Sequence, residues 1–217
     1  MRFSSTPAVA DHTKKKTLHP AEQQDPKVQE QRRQWWDQTA GIDPRRFKFL
    51  DQTNAKTILT RLYGRAPRGQ RVREFIPDGR WHSWTLMGTL GYAGDTTAFT
   101  YEGGTDVMAM LTFVQEILGP QLRRRHIVVL DRLSSHLAPS VVAAIERTGA
   151  AVWHLPPYSH DFNPIEQMWS KIKAYLRKAK ARDPESLFAA IAEALDTVTA
   201  ADAVNWFDHC GYPHTKT

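Results

Sequence analysis

An α/β fold built on a mixed five-stranded sheet flanked by helices is the class that three features of the 217-residue sequence predict. Two runs rich in β-branched and aromatic residues, Trp81–Leu90 and Thr96–Tyr101, flank the turn Gly91–Asp95 and read as a hairpin. Ile127–Leu130 is a continuous apolar run, the pattern of a strand buried on both faces. From Asp106 onward, helical periodicities alternate with such runs, and that order places helices on the faces of the sheet.

The first 40 or so residues are polar and include Lys14–Lys16 and a Gln/Glu/Arg-rich run from Glu22 to Gln34. They read as a solvated arm (residues 1–43) with a short helix that ends near Trp35 and Trp36, the two residues that dock it. Arg46–Leu50 is a short strand that stops at Asp51. After the hairpin, Thr105 or Asp106 caps a helix with Val107, Met110, Leu111, Val114, Ile117 and Leu118 inward, ended by Gly119-Pro120. Ile127–Leu130 stops at a second acid, Asp131. A loop containing Ser134, Ser135 and His136 then leads to a helix between Pro139 and Gly149. His136 either packs in the core or steadies that loop. Ala150–Leu155 is the fifth strand. The next helix runs from Pro164 to about Lys180, with Asn163 as N-cap and Ile165, Met168, Trp169, Ile172 and Leu176 as its buried stripe. Residues 44–182 thus form the main domain. Residues 183–217 add an amphipathic helix capped by Asp183 and a short helical segment near Ala201–Phe207.

The composition is that of a globular chain, 41% hydrophobic and 24% charged. No run is long enough to span a bilayer, and no signal-peptide pattern opens the chain, so a cytoplasmic location is expected. A single cysteine, Cys210, excludes an internal disulfide. His209–His214 lacks a well-spaced ligand set for zinc. A formal charge of +6 suggests a polyanionic partner, most simply nucleic acid. Two basic segments supply candidate phosphate contacts. Arg61–Arg80 holds six arginines against two acids and contributes Arg61, Arg65 and Arg68. Lys171–Arg182 holds six basic residues and no acid and contributes Lys171, Lys173, Arg177 and Lys178.

Three carboxylates stand out. Asp51 and Asp131 fall at strand ends, where ligand sites of open sheets lie, and Glu166 lies in the first turn of the helix after the next strand. Each also has an ordinary reading. Asp51 would be a turn residue, Asp131 an Asx-turn acceptor, and Glu166 one half of a capping box with Asn163. Asp161, in the loop before the helix, is the nearest rival to Glu166. Clustered carboxylates repel unless a cation or proton relieves them, and divalent cations held by such acids cleave phosphodiesters.

The segments Phe49–Asp51, Val128–Asp131 with Ser134–His136, and Leu155–Ser159 with Asp161–Glu166 and Trp169 resemble the catalytic domain of mariner-like bacterial insertion-sequence transposases, the DDE endonuclease domain. The 34 residues between Asp131 and Glu166 match the spacing of that group. The resemblance implies a ribonuclease-H-like fold and two magnesium or manganese ions held by Asp51, Asp131 and Glu166. It also implies DNA, as transposon ends and target, as the partner: water cuts a strand at the element end, and the freed 3′ hydroxyl attacks target DNA. A homodimer and a separate helix-turn-helix subunit for end recognition are implied as well, because the polar N-terminal arm does not supply such a module. Three positions depart from the family pattern. Gln52 stands where Glu is usual, Arg132 where Asn is usual, and His160 where Pro is usual. If Gln52 and Arg132 face the acids, both weaken cation binding. The alternatives are a DNA-binding remnant without chemistry and a plain nuclease of the same fold.

Overall fold

The computed structural model describes residues 19–61, 63–76, 82–104 and 106–212. Lys14–Lys16, Asp78, Arg80, Trp81, Thr105 and His214, all used in the sequence reading, lie outside these residues. Helix α1 (Pro26–Thr39) opens on an Asp25 cap that accepts from the Lys27 amide, with Pro26 at the first position. It is longer than the sequence suggested, because the glutamine-rich run continues the same helix. Strands β1 (Phe47–Lys56), β2 (Ser83–Gly91) and β3 (Thr96–Glu102) pair antiparallel. Helix α2 (Val107–Thr112) is capped by Asp106 and runs into a π-helical turn, Phe113–Leu118. The wider turn swings Phe113 into the core beside Met110, Val114 and Leu118. Strand β4 (Ile127–Leu130), helix α3 (Pro139–Glu146), strand β5 (Ala151–His154) and helix α4 (Ile165–Ala179) follow. Helices α5 (Pro184–Asp196) and α6 (Ala200–His209) close the chain. Each is capped, α5 by Asp183 and α6 by a Thr199–Asp202 capping box.

The sheet order is β3-β2-β1-β4-β5, with β1, β4 and β5 parallel. Side chains alternate along β1, so one face carries Phe47, Phe49 and Ala55 and the other carries Leu50. The first face is covered by α1, α4, α5 and α6, with Trp35, Trp169 and Phe207 at its centre. The second is covered by α2 and α3 through Met110, Phe113, Val141 and Ile145. No helix among the described residues is long and apolar enough to cross a membrane.

One sequence expectation changes. β1 does not stop at Asp51. Its antiparallel partner β2 carries it on to Lys56, with Asp51 opposite Gly88. What ends near Asp51 is the parallel pairing with β4, whose last register pair is Phe49–Val129.

Gly88 is a glycine inside a strand, where the residue usually marks a close approach. A methyl group there would lie 2.8 Å from the Thr97 carbonyl oxygen and 2.8 Å from the Trp169 ring. Gly88→Ala is therefore expected to destabilise the protein by about 1–3 kcal/mol, read from the urea midpoint. An unchanged midpoint would show that Trp169 is not seated against β2.

Candidate functional site

Asp51 and Asp131 each lie two residues beyond the last parallel pair, so the two strands part just where the acids begin. Asp51 projects from the face of β1 that α4 covers and is nearly fully buried, 7% exposed. Burial is the main cause that pushes its pKa up from the ordinary 3.8 to about 7, and the negative charges of Glu166 and Asp131 add to the rise. The Gln52 amide donates to Asp51 Oδ1 at 2.7 Å and opposes the shift, as does the nearby Trp169 indole more weakly. The indole nitrogen is buried and makes no hydrogen bond of good geometry.

Asp131 is placed differently. Its Oδ1 accepts from the Leu133 amide at 2.9 Å, an Asx-turn, and lies 2.5 Å from His136 Nδ1. Burial by itself would raise this carboxyl, but the His136 hydrogen bond and charge outweigh it and hold the pKa below the ordinary range. His136 is wholly buried and its Nε2 has no partner. Both sequence readings of His136 hold at once: it is a core residue, and it braces the loop after Asp131.

Glu166 lies in the first turn of α4, half exposed, with Oε1 3.5 Å from His160 Nδ1. The expected capping box does not form. Pro164 occupies the cap position, no side chain caps the helix, and the Asn163 amide donates to the His160 carbonyl. Asn163 Oδ1 is left buried and unpaired. Glu166 is thus released from the capping role. Asp161, the rival acid, is taken: Arg32 grips it through both guanidinium nitrogens at 2.9 and 2.6 Å. Burial raises the Asp161 carboxyl and Arg32 more than reverses this, leaving it below its ordinary range.

The three departures from the family pattern fall in different places. Alternation sends Gln52 to the opposite face from Asp51, opposite Met87 in the second core, where its Oε1 is buried without a partner. It does not face the acids, which removes the expected charge effect. Arg132 is exposed and shares a cleft of about 390 Å³ with Asp131, Pro157, Tyr158 and His160. His160 leans on Glu166. Among the described residues, no group of three His, Cys, Asp or Glu side chains stands close enough to hold a metal ion. Two of the three carboxylates are instead paired with histidines, Asp131 with His136 and Glu166 with His160.

A family model described as DDE superfamily endonuclease matches residues 46–188. The chain belongs to that family. Several solved structures share the fold of this DDE domain at low identity. A pre-cleavage Mos1 transpososome matches with a TM-score of 0.70 at 12% identity, over 96% of this chain and 68% of that one. A mariner Mos1 paired-end complex with Mg matches at 0.70 and 14%, over 93% and 65%. The corresponding complex with Mn matches at 0.65 and 14%, over 93% and 63%. This domain therefore spans about two thirds of the Mos1 chains it matches. No curated protein matches its sequence. The mixed five-stranded sheet is the ribonuclease-H-like fold that the sequence led us to expect.

The basic candidates divide. Arg61, Arg177 and Lys178 line a groove of about 560 Å³ with Tyr63 and Tyr175. Lys171 is in its wall, but its ammonium is bound at 2.6 Å to both the Thr197 carbonyl and Asp202. Lys173 is half-buried on the same helix, and Arg65 and Arg68 are exposed on the loop after β1. Lys180 pairs with Glu74 of that loop, and Arg182 donates to the Thr57 and Leu59 carbonyls at 3.0 Å. Half of the cations in Lys171–Arg182 thus tie the fold together. Sequence reasoning missed Arg32 and Gly88. A glycine inside a strand was a usable signal for Gly88, while Arg32 sits in a run of polar residues without pattern.

The raised Asp51 pKa sets a pH dependence. In the metal-free protein the folded state keeps a proton that the unfolded chain has already released between pH 3.8 and about 7. The associated stability is present below that window and is lost as pH rises through it. Asp51→Asn is expected to stabilise the metal-free domain at pH 8 by about 2–4 kcal/mol, and the gain should shrink toward pH 4. Melts in chelator across pH 4–8 check this. A gain that does not vary with pH would show that the carboxyl is ionised throughout.

Proposed function

We propose that this DDE domain is the catalytic unit of a transposase that cuts DNA at the ends of a mobile element and joins the freed strand to target DNA. The observation that supports the reading is that Asp51 and Asp131 stand where β1 and β4 part, with the charges of Glu166 and Asp131 adding to the rise in the proton affinity of Asp51. Three carboxylates without a thiol make a donor set suited to a hard divalent cation, and added positive charge relieves the repulsion that lifts Asp51. The Mos1 complexes with Mg and with Mn support magnesium or manganese as that cation, two ions being the number we propose. Asp51, Asp131 and Glu166 would hold such cations, which would supply activation of the attacking oxygen and neutralisation of the leaving one.

The chain's own residues do the rest. Asp131 must leave His136, and Glu166 must leave His160, for the acids to serve as ligands. Arg61, Arg177 and Lys178 grip backbone phosphates along the α4 groove, Arg177 and Lys178 being roughly 16–18 Å along the helix axis from Glu166. Arg65, Arg68 and Lys173 extend that contact, while Lys171 keeps the groove wall in place. The Mos1 complexes, which include a transposon end and a strand-transfer product, support DNA as the partner. The active assembly we propose is a homodimer associated with the bacterial nucleoid, with a helix-turn-helix module recognising element ends. The same His contacts favour a second reading, a DNA-binding remnant without chemistry.

Labelled element-end DNA separates these readings. The parent is expected to nick it only with Mg²⁺ or Mn²⁺. Asp131→Ala is expected to lose more than the roughly 100-fold that removal of an outer-shell partner costs. Salt-sensitive binding without any nicking would establish the remnant, and nicking without joined products a plain nuclease. In the same assay, Arg177→Ala combined with Lys178→Ala should weaken DNA binding regardless of sequence and flatten the log–log salt slope by about 2. An unchanged slope would place the phosphates elsewhere.

A further inference from the structure

The short segment Tyr158–Asn163 links β5 to the helix that carries Glu166 through a single 3₁₀ turn, with Ser159 Oγ donating to the Pro157 carbonyl at 3.0 Å. Helix α4 has no side-chain cap, Asn163 Oδ1 has no partner, and Tyr158 is held at φ +56°, a left-handed conformation uncommon outside glycine. The segment is also held from far away in the chain. Arg32, in the middle of α1, donates to Ser159 Oγ at 2.8 Å and to both oxygens of Asp161 at 2.9 and 2.6 Å. Its guanidinium carbon lies 3.9 Å from the centre of the Phe162 ring. Gln23 donates to the carbonyl of the strained Tyr158 at 2.6 Å. Trp36 packs on Phe162 edge to face, and Tyr212 donates to the Phe162 carbonyl at 2.9 Å while accepting from Trp35.

We infer that Arg32 is a positioning residue for the third acid: α1 clamps the Ser159–Phe162 turn and through it sets the direction in which Glu166 leaves the start of α4. Arg32 suits the task. Its planar fork reaches a carboxylate with two parallel bonds while its flat face covers a ring, which a lysine ammonium does not do. The ion pair is also shielded, with Arg32 17% and Asp161 37% exposed, so salt screens it less than a surface pair. Beyond Phe162 only Asn163, Pro164 and Ile165 precede Glu166. Asn163 and Ile165 are buried, and Pro164 has a fixed φ, so a shift of the clamped turn passes to the acid with little slack. Arg32 touches none of the three acids. Its effect is on how they gather around a cation.

This inference rests on the transposase reading for its kinetic test but not for its structural one. Hydrogen exchange is measured on the parent, Arg32→Ala, Arg32→Lys and Asp161→Asn at the Phe162, Asn163 and Glu166 amides, which bond to Ser159, His160 and Asn163 carbonyls. All three variants are expected to exchange faster there, Arg32→Ala and Asp161→Asn by about tenfold or more, with β1 and β4 amides unchanged and Arg32→Lys intermediate. Combining Arg32→Ala with Asp161→Asn should add little to either alone. Should Arg32→Ala fail to fold, Asp161→Asn and Arg32→Lys carry the same readout. In the nicking assay, the Mg²⁺ concentration for half-maximal rate should rise about 10- to 100-fold in Arg32→Ala, while DNA affinity stays within about twofold. Unchanged exchange at these amides, or a parental Mg²⁺ dependence in a variant whose exchange has risen, overturns the inference. A parent that does not nick at all overturns the transposase reading and leaves the exchange result to decide the role of Arg32.

Discussion

Repulsion among carboxylates held near one another is the condition that the rest of this structure manages. Asp51 is buried at the centre of the sheet, where an ionised acid is costly, and two further acids approach it from β4 and α4. Asp131 and Glu166 each lean on a histidine, and Asp51 holds its proton to near-neutral pH. These arrangements let the acids sit near one another in the folded chain without a cation. Among the described residues no three-ligand group is formed.

Much of the surrounding architecture sets the angles at which the acids enter. The sheet brings β1 beside β4, Gly88 makes room for Trp169, and the Trp169 indole lies beside Asp51. Helix α1 does for the segment before Glu166 what Trp169 does for Asp51. On the far flank, Lys171, Lys180 and Arg182 join α4 to α6 and to the loop after β1, giving the basic groove a fixed wall.

The order of elements, the hairpin and the helix positions were readable from the sequence because each rests on local pattern: periodicity, capping residues and turn signals. Where local pattern misled, a long-range partner was the cause. β1 continues past Asp51 because β2 pairs with it, and nothing within Arg46–Leu50 signals that. Glu166 does not reach back to Asn163 because the preceding turn already holds the Asn163 backbone amide. Lys171 looked like a surface cation until Asp202, 31 positions later, claimed it. Gln52 looked like a change at the site because it adjoins Asp51 in sequence, yet adjacency along a strand means opposite faces. Arg32 was invisible for the same kind of reason, since its meaning lies entirely in a turn that begins 127 positions away.

The parting of β1 and β4 has a bearing on how such a domain can change over time. Both acids stand at the same distance past the last paired residues, Phe49 and Val129. Substitutions around them alter charge or packing by degrees. An inserted or deleted residue between Phe49 and Asp51 acts otherwise, because it inverts the side chain and delivers the carboxylate to the wrong layer of the molecule. The domain is thus open to drift in its letters and closed to drift in its spacing at these two points.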